Sequence, residues 1–199
     1  MTGADARAAL AAVGSTASIS HTTAGTLRAL WLPARADALV HLTVPGQADE
    51  LRGGVRIHGC MLPSAQVEEV HGLRMTTPSR TAVDVARGCT FPEALMVLDS
   101  VARGELVRTA PDRGDQRRPA VREAATARAR DLLAAAYADE WGWPGTVVVR
   151  QALGWVEAAS ESPLESRSRG HMILSGLPPA QLGAEVVGAS GRHYWVDFL

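Results

Sequence analysis

Two histidines lie in runs where their spacing could let them act together. His41 lies in Leu39-Val40-His41-Leu42-Thr43-Val44 and His58 in Val55-Arg56-Ile57-His58, and in both runs apolar and polar residues alternate. A strand sends successive side chains to opposite faces, so both histidines hold the polar phase and could share one side of a sheet. Imidazoles are good zinc ligands, but a pair without a third ligand reads as surface residues. A third histidine, His21, follows Ser20, a hydroxyl–imidazole pair with no acid or Gly-x-Ser-x-Gly elbow beside it. Arg80 and Asp84 are four residues apart, the helical spacing of an ion pair contributing about 0.3–0.5 kcal/mol.

Other residue types limit the chemistry. All 20 basic residues are arginines. With no lysine, the chain offers no Schiff base, no phosphate-loop lysine and no amine that must lose a proton. Cys60 and Cys89 are far apart and neither belongs to a C-x-x-C pair, so they read as small apolar thiols. The tryptophans of Trp141-Gly142-Trp143-Pro144-Gly145 read as packing residues at a turn.

The elements that must position these groups are legible in outline. Residues 4–12 are Ala-rich and helical, and a second helical run ends near Leu30. Extended runs cover 39–44, 55–58, 67–70 and 73–77, with Pro45-Gly46 and His71-Gly72 as turns. Residues 79–87 read as a short helix. Thr90-Phe91-Pro92-Glu93 opens another, with a capping box, proline in the first turn and Ala94, Leu95, Leu98 and Val101 as its apolar stripe. Residues 108–119 have no apolar pattern and read as a linker, and helices are expected over 120–138 and 147–158.

The C-terminal portion carries the sharpest local signal. Ser162-Pro163-Leu164-Glu165 is a capping box whose helix runs to about Ser175, where Gly176 and Pro178-Pro179 stop it. Extended runs over 183–187 and 193–198 follow, joined by Gly188-Ala189-Ser190-Gly191. Ser168 and Gly170 are unexpected inside the helix, where glycine costs roughly 1 kcal/mol against alanine. Asp197 lies within Tyr194-Trp195-Val196 and Phe198-Leu199, where a carboxylate wants a metal or a donor.

Composition sets broader bounds. The 199 residues suit one large domain or two small ones, and the hydrophobic share of 46% is that of a globular protein. No run of eighteen uncharged apolar residues would span a membrane, and no basic, then apolar, leader opens the chain, so the expectation is a cytoplasmic protein. A formal charge of -1 gives no broad footprint for nucleic acid, so any DNA contact would be local.

Two resemblances add to this reading. Ser160-Glu161-Ser162-Pro163-Leu164-Glu165-Ser166-Arg167, Gly176-Leu177-Pro178-Pro179, Gly191-Arg192 and Val196-Asp197 together resemble the opening of a domain family related to Vsr endonucleases, of the PD-(D/E)XK class. Ser20-His21-Thr22-Thr23-Ala24, Val44-Pro45-Gly46, Gly72-Leu73 and Thr76-Thr77-Pro78-Ser79-Arg80-Thr81-Ala82-Val83-Asp84 resemble the AbiEi-type antitoxin region. The resemblances imply an AbiEi-antitoxin-like α/β domain over 1–107, a linker over 108–119, a helical connector over 120–158 and, over 159–199, a partial Vsr-like domain. The fold class expected is mixed α/β (α+β), with a small mixed sheet followed by the helix-plus-hairpin front of a restriction-endonuclease-like fold. The winged helix and the later acidic strand of such proteins are not in this sequence, so the chain reads as short at both ends and its nuclease half as truncated or decayed.

The nuclease resemblance would make Asp197 a strand-borne Mg²⁺ ligand and Glu165 the helix-borne acid of the catalytic pair. The expected function is a nuclease-related protein of a toxin–antitoxin or defence system, inactive as this chain. The alternatives are an antitoxin-like module that binds protein or regulates transcription, and a gene remnant. DNA and a cognate toxin or neighbouring-gene product are the partners implied.

Overall fold

The computed structural model describes residues 3–34, 37–140, 142–178 and 180–199. The opening Met1-Thr2, Trp141 of the expected turn and Pro179 of the helix stop lie outside the described residues. The chain is mixed α/β, as expected. It begins with α1 (Gly3–Val13), β1 (Ser18–Ile19), α2 (His21–Leu27), β2 (Val40–Thr43), β3 (Glu50–Arg52), β4 (Val55–His58), β5 (Val67–Val70) and β6 (Leu73–Thr76). It continues with α3 (Pro78–Ala86), α4 (Phe91–Thr109), α5 (Arg113–Gln116), α6 (Pro119–Ala138), α7 (Thr146–Leu153), α8 (Pro163–Leu174), β7 (Leu182–Val187) and β8 (His193–Phe198).

The first six strands form one mixed sheet in the order β3-β4-β2-β1-β6-β5. β2 runs parallel to β4, with His41 opposite Arg56 and Thr43 opposite His58. β1 bridges antiparallel to β2 and parallel to β6. Val40, Leu42 and Val44 pack in one cluster with Ala6 and Ala9 of α1. The opposite phase of β2 is buried too, with His41 and Thr43 both inside. Thr23 of α2 explains the attachment there: its Oγ1 accepts from the His41 N–H at 2.8 Å, and the Ser20 N–H donates to the His41 carbonyl at 3.0 Å.

A second core is helical, built on α4 with α3, α6, α7 and the segment after α7. Residues 94–102 of α4 are all buried, so the expected stripe is only part of its packed surface. A helix apolar all round is one enclosed on all sides. Its start is the expected capping box, with the Thr90 N–H donating to Glu93 at 3.0 Å. Residues 108–119 hold the end of α4 and the short α5. Gln116 there is buried and donates to the Ala110 carbonyl at 2.8 Å.

α8 lies against α4 through Ser166, Arg169 and Gly170. Here the expectation that Gly170 is out of place in this helix is corrected. A Cβ at Gly170 would come within 2.6 Å of Pro92 Cα. The two helices touch at backbone distance, and only glycine permits it. Gly170→Ala is therefore expected to destabilise the protein by about 1–3 kcal/mol, where an exposed helical site would gain roughly 1 kcal/mol. Urea denaturation gives the sign directly.

β7 and β8 form a separate two-stranded sheet. Arg122 of α6 ties it down, donating to the carbonyls of Leu182 at 3.2 Å and Gly183 at 3.4 Å. Val187, Tyr194, Trp195 and Leu199 leave much of the hairpin's apolar surface exposed. No helix among the described residues is long and apolar enough to cross a membrane.

Candidate functional site

The sheet register brings together what the sequence scatters. Pairing β2 with β4 puts His41 and His58 on one face, and α2 starts above them with His21 at φ 49°. His41 Nδ1 lies 2.9 Å from His58 Nε2, and His41 Nε2 lies 2.7 Å from Asp37 Oδ1. His21 and His58 stack with ring centroids 3.6 Å apart and planes 12° apart. His21 Nδ1 is 2.9 Å from Ser20 Oγ, so the hydroxyl–imidazole pair exists. Its Nε2 stands 3.8 Å from Asp84 Oδ1, an acid that becomes a neighbour only through the fold.

Behind the histidines lies a buried charge cluster. Arg80 is 0% exposed. Its Nε faces Asp84 Oδ2 at 3.1 Å and Glu140 Oε1 at 2.7 Å. Its terminal nitrogens donate to Gln66 Oε1 at 2.8 Å and reach Cys60 Sγ at 3.4 Å. Gln66 in turn donates to Asp139. The Arg80–Asp84 pair expected on a helix surface is thus inside the protein. The small surface increment does not apply, because removing one partner strands the other without water. Arg87 approaches Glu140 Oε2 at 2.9 Å and donates to the Pro144 carbonyl at 3.0 Å. Trp143 lies under both guanidinium groups, 5.6 Å from Arg80 and 4.9 Å from Arg87, and so does more than pack. The turn presses on α3 closely enough that a Cβ at Gly145, where φ is +83°, would meet the Arg87 carbonyl at 2.1 Å.

These groups border an open cleft of 690 Å³ whose wall includes His21, Asp49, His58, Cys60, Asp84, Arg87 and Trp143. Burial lowers His21 to about 4, against the pull of Asp84. Burial, with His21 and His41 nearby, lowers His58 to about 3. Both rings are neutral at pH 7 and present lone pairs. For Arg80, burial opposes the charge, but Asp84 and Glu140 outweigh it and raise its value. Burial also opposes the Asp84 charge, and His21 and Arg80 overcome it to hold Asp84 low. Glu140 goes the other way, pushed up to about 8 by burial and then by the Asp84 carboxylate, against Arg80 and Arg87. The cluster therefore favours the protonated form of Glu140 more than water does.

A pH dependence follows. The native state binds one extra proton between the ordinary 4.5 of Glu140 and about 8, so stability falls as pH rises across that window. Glu140→Gln mimics the protonated acid. It is expected to cost less than about 1 kcal/mol at pH 6 and to flatten the decline to pH 9, read from melting temperatures. An ionised Glu140 would instead make this variant costly by about 3–5 kcal/mol at pH 6.

A second buried carboxylate organises the helices. Asp99 of α4 accepts from Arg169 at 2.7 Å, Ser166 at 2.7 Å and the Glu157 N–H at 2.9 Å, with Ser160 at 3.4 Å. Sequence reading passed over it, although an acid inside Leu95-Met96-Val97-Leu98-Asp99 is a signal, since acids are almost never fully buried unless paired.

Glu165 and Asp197 do share a place. Both line a depression of 170 Å³ that also takes in Glu161, Arg117 and Arg122. Glu165 is engaged by the helix start, accepting from the Ser162 hydroxyl at 2.7 Å and the Glu161 N–H at 2.9 Å. Asp197 is exposed on β8, not enclosed by the apolar residues around it. Arg117, 4.1 Å over Trp195, and Arg122 bring positive charge to the same depression, which opposes a Mg²⁺ ion there. With Glu165 engaged by the helix start and two arginines alongside, these residues make a poor Mg²⁺ cage.

Comparison with known proteins follows the second of the two resemblances, the AbiEi-type antitoxin region. Two relatives, Uncharacterized protein MT2308 and Uncharacterized protein Rv2248, both of Mycobacterium tuberculosis, are each 30% identical over 159 residues, covering 80% of this chain and 50% of their own length. The chain thus spans about half the length of the curated relatives it matches. No solved structure matches at a significant level. The model of the AbiEi antitoxin C-terminal domain matches residues 9–135. That match runs from α1 through most of α6 and takes in the whole mixed sheet, the three histidines and the Arg80–Asp84 pair, and the chain belongs to this antitoxin family.

Proposed function

We propose that this chain is the toxin-binding part of a toxin–antitoxin pair and acts by stoichiometric association with a protein partner. The family match over residues 9–135 carries the reading. Charge distribution supports a protein over a nucleic acid. Net charge is -1, and many arginines are already matched, Arg28 to Glu68 at 2.7 Å and both Arg108 and Arg128 to Glu105 at 2.6 and 2.8 Å. Pairing of this kind takes those arginines out of any footprint that would release counterions from phosphate. Expression beside the product of the adjacent gene tests it. This chain is expected to restore growth that the neighbour's product arrests. Failure to restore growth, together with salt-sensitive binding of duplex DNA, would favour a transcription-regulating role instead.

A second reading has one observation in its favour, the common depression of Glu165 and Asp197. It makes α8 with its hairpin a nuclease-derived unit that does not cut in this chain. Supercoiled plasmid with Mg²⁺ should stay intact. A nick that disappears in Asp197→Ala would show an active site.

A further inference from the structure

We infer that His21, His41 and His58 form a site for one divalent transition-metal ion of the zinc class, open on one side to the cleft. Each ring offers one nitrogen, and the three lie within 4.8 Å of one another. Zinc holds imidazole nitrogens at about 2.0–2.1 Å, so side-chain movements must draw the three nitrogens in around one ion. The ligands come from three elements, the start of α2, the middle of β2 and the end of β4.

The outer nitrogens of two of the three rings are already engaged. Asp37 holds His41 Nε2 at 2.7 Å and leaves Nδ1 turned toward His58. Ser20 holds His21 Nδ1 at 2.9 Å and leaves Nε2 turned inward. A carboxylate or hydroxyl behind an imidazole is how proteins aim metal ligands. A second observation points to a cation. Asp84 Oδ1 is buried without a hydrogen-bond partner, 3.8 Å from His21 Nε2, so negative charge faces the histidines without a donor. Coordination requires the stacked His21 and His58 rings to fan apart, and both border the cleft, which has room for the movement. Three histidines with a fourth position open to a cleft is the arrangement of reactive zinc sites, since structural ones are closed. The inference does not depend on the toxin-binding reading.

The test uses the untagged full chain, equilibrated with Zn²⁺ and then freed of excess. About one equivalent should remain, and excess Zn²⁺ should raise the melting temperature. His58→Gln and His21→Gln should each weaken retention by at least ~100-fold, as ligand loss exceeds the ~10–100-fold cost of losing a supporting partner. Asp37→Asn, at a half-exposed position, should weaken it by ~10–100-fold without disturbing the fold. His193→Gln, on the exposed hairpin, should bind as wild type. Retention below a tenth of an equivalent by the folded wild type would overturn the site, as would equal binding by all four variants. Should the histidine variants not fold, Co²⁺ on the wild-type chain decides. Intense visible bands of a four-coordinate site support the inference, and their absence overturns it.

Discussion

Arg80→Met is expected to cost the fold about 3–5 kcal/mol, a large part of the 5–15 kcal/mol that holds a typical domain together. Arg80 is fully buried, with Asp84 and Glu140 on one side and Gln66 on the other. Methionine fills most of the volume but leaves Asp84 charged in a site without water. The sign of the effect comes from that stranded charge, not from lost attraction, because a buried pair as a whole gains little over apolar residues of the same shape. Arg80→Met with Asp84→Leu should therefore recover much of the loss. Equilibrium urea denaturation of the two single variants and the double variant gives the coupling. Near-additive losses would show that Asp84 finds another partner, with Arg87, 3.8 Å from its Oδ1, the first candidate.

Asp99→Ala is expected to cost about 3–5 kcal/mol for the same reason in the other half of the molecule. Asp99 is where α4 meets α8, and its loss leaves Arg169 and Ser166 buried without their acceptor. The damage should be local. The sheet has its own apolar cluster with α1, separate from the helical core. Hydrogen exchange should find α8 and the hairpin opening at much lower free energy than β2 and β6, where protection should survive. Equal loss of protection everywhere would mean that the two cores fold as a single unit.

Local signals in the sequence were read correctly where local physics sufficed. Thr90 with Glu93, and Ser162 with Glu165, announce helix starts within four residues, and both caps formed. Alternation exposed β2 and β4. β3 escaped because Glu50-Leu51-Arg52 is wholly exposed, so no burial pattern marks it. The full enclosure of α4 escaped because a one-sided stripe is the usual pattern, and four helices around one axis are a property of the tertiary fold. The three-histidine cluster needed facts that no window holds: that β4 runs parallel to β2, and that α2 begins over that face. The Arg80–Asp84 spacing was visible, but Glu140, its other partner, arrives from far along the chain. Gly170 looked like a defect only because Pro92, which requires it, is distant in sequence.

The most direct test of the account is a binding measurement between this purified chain and the purified product of the gene beside its own. Titration calorimetry should show a single saturable association, submicromolar, with one complex on size exclusion and no covalent change in either protein. Two folded proteins that elute separately and give no heat at high concentration would contradict the toxin-binding role.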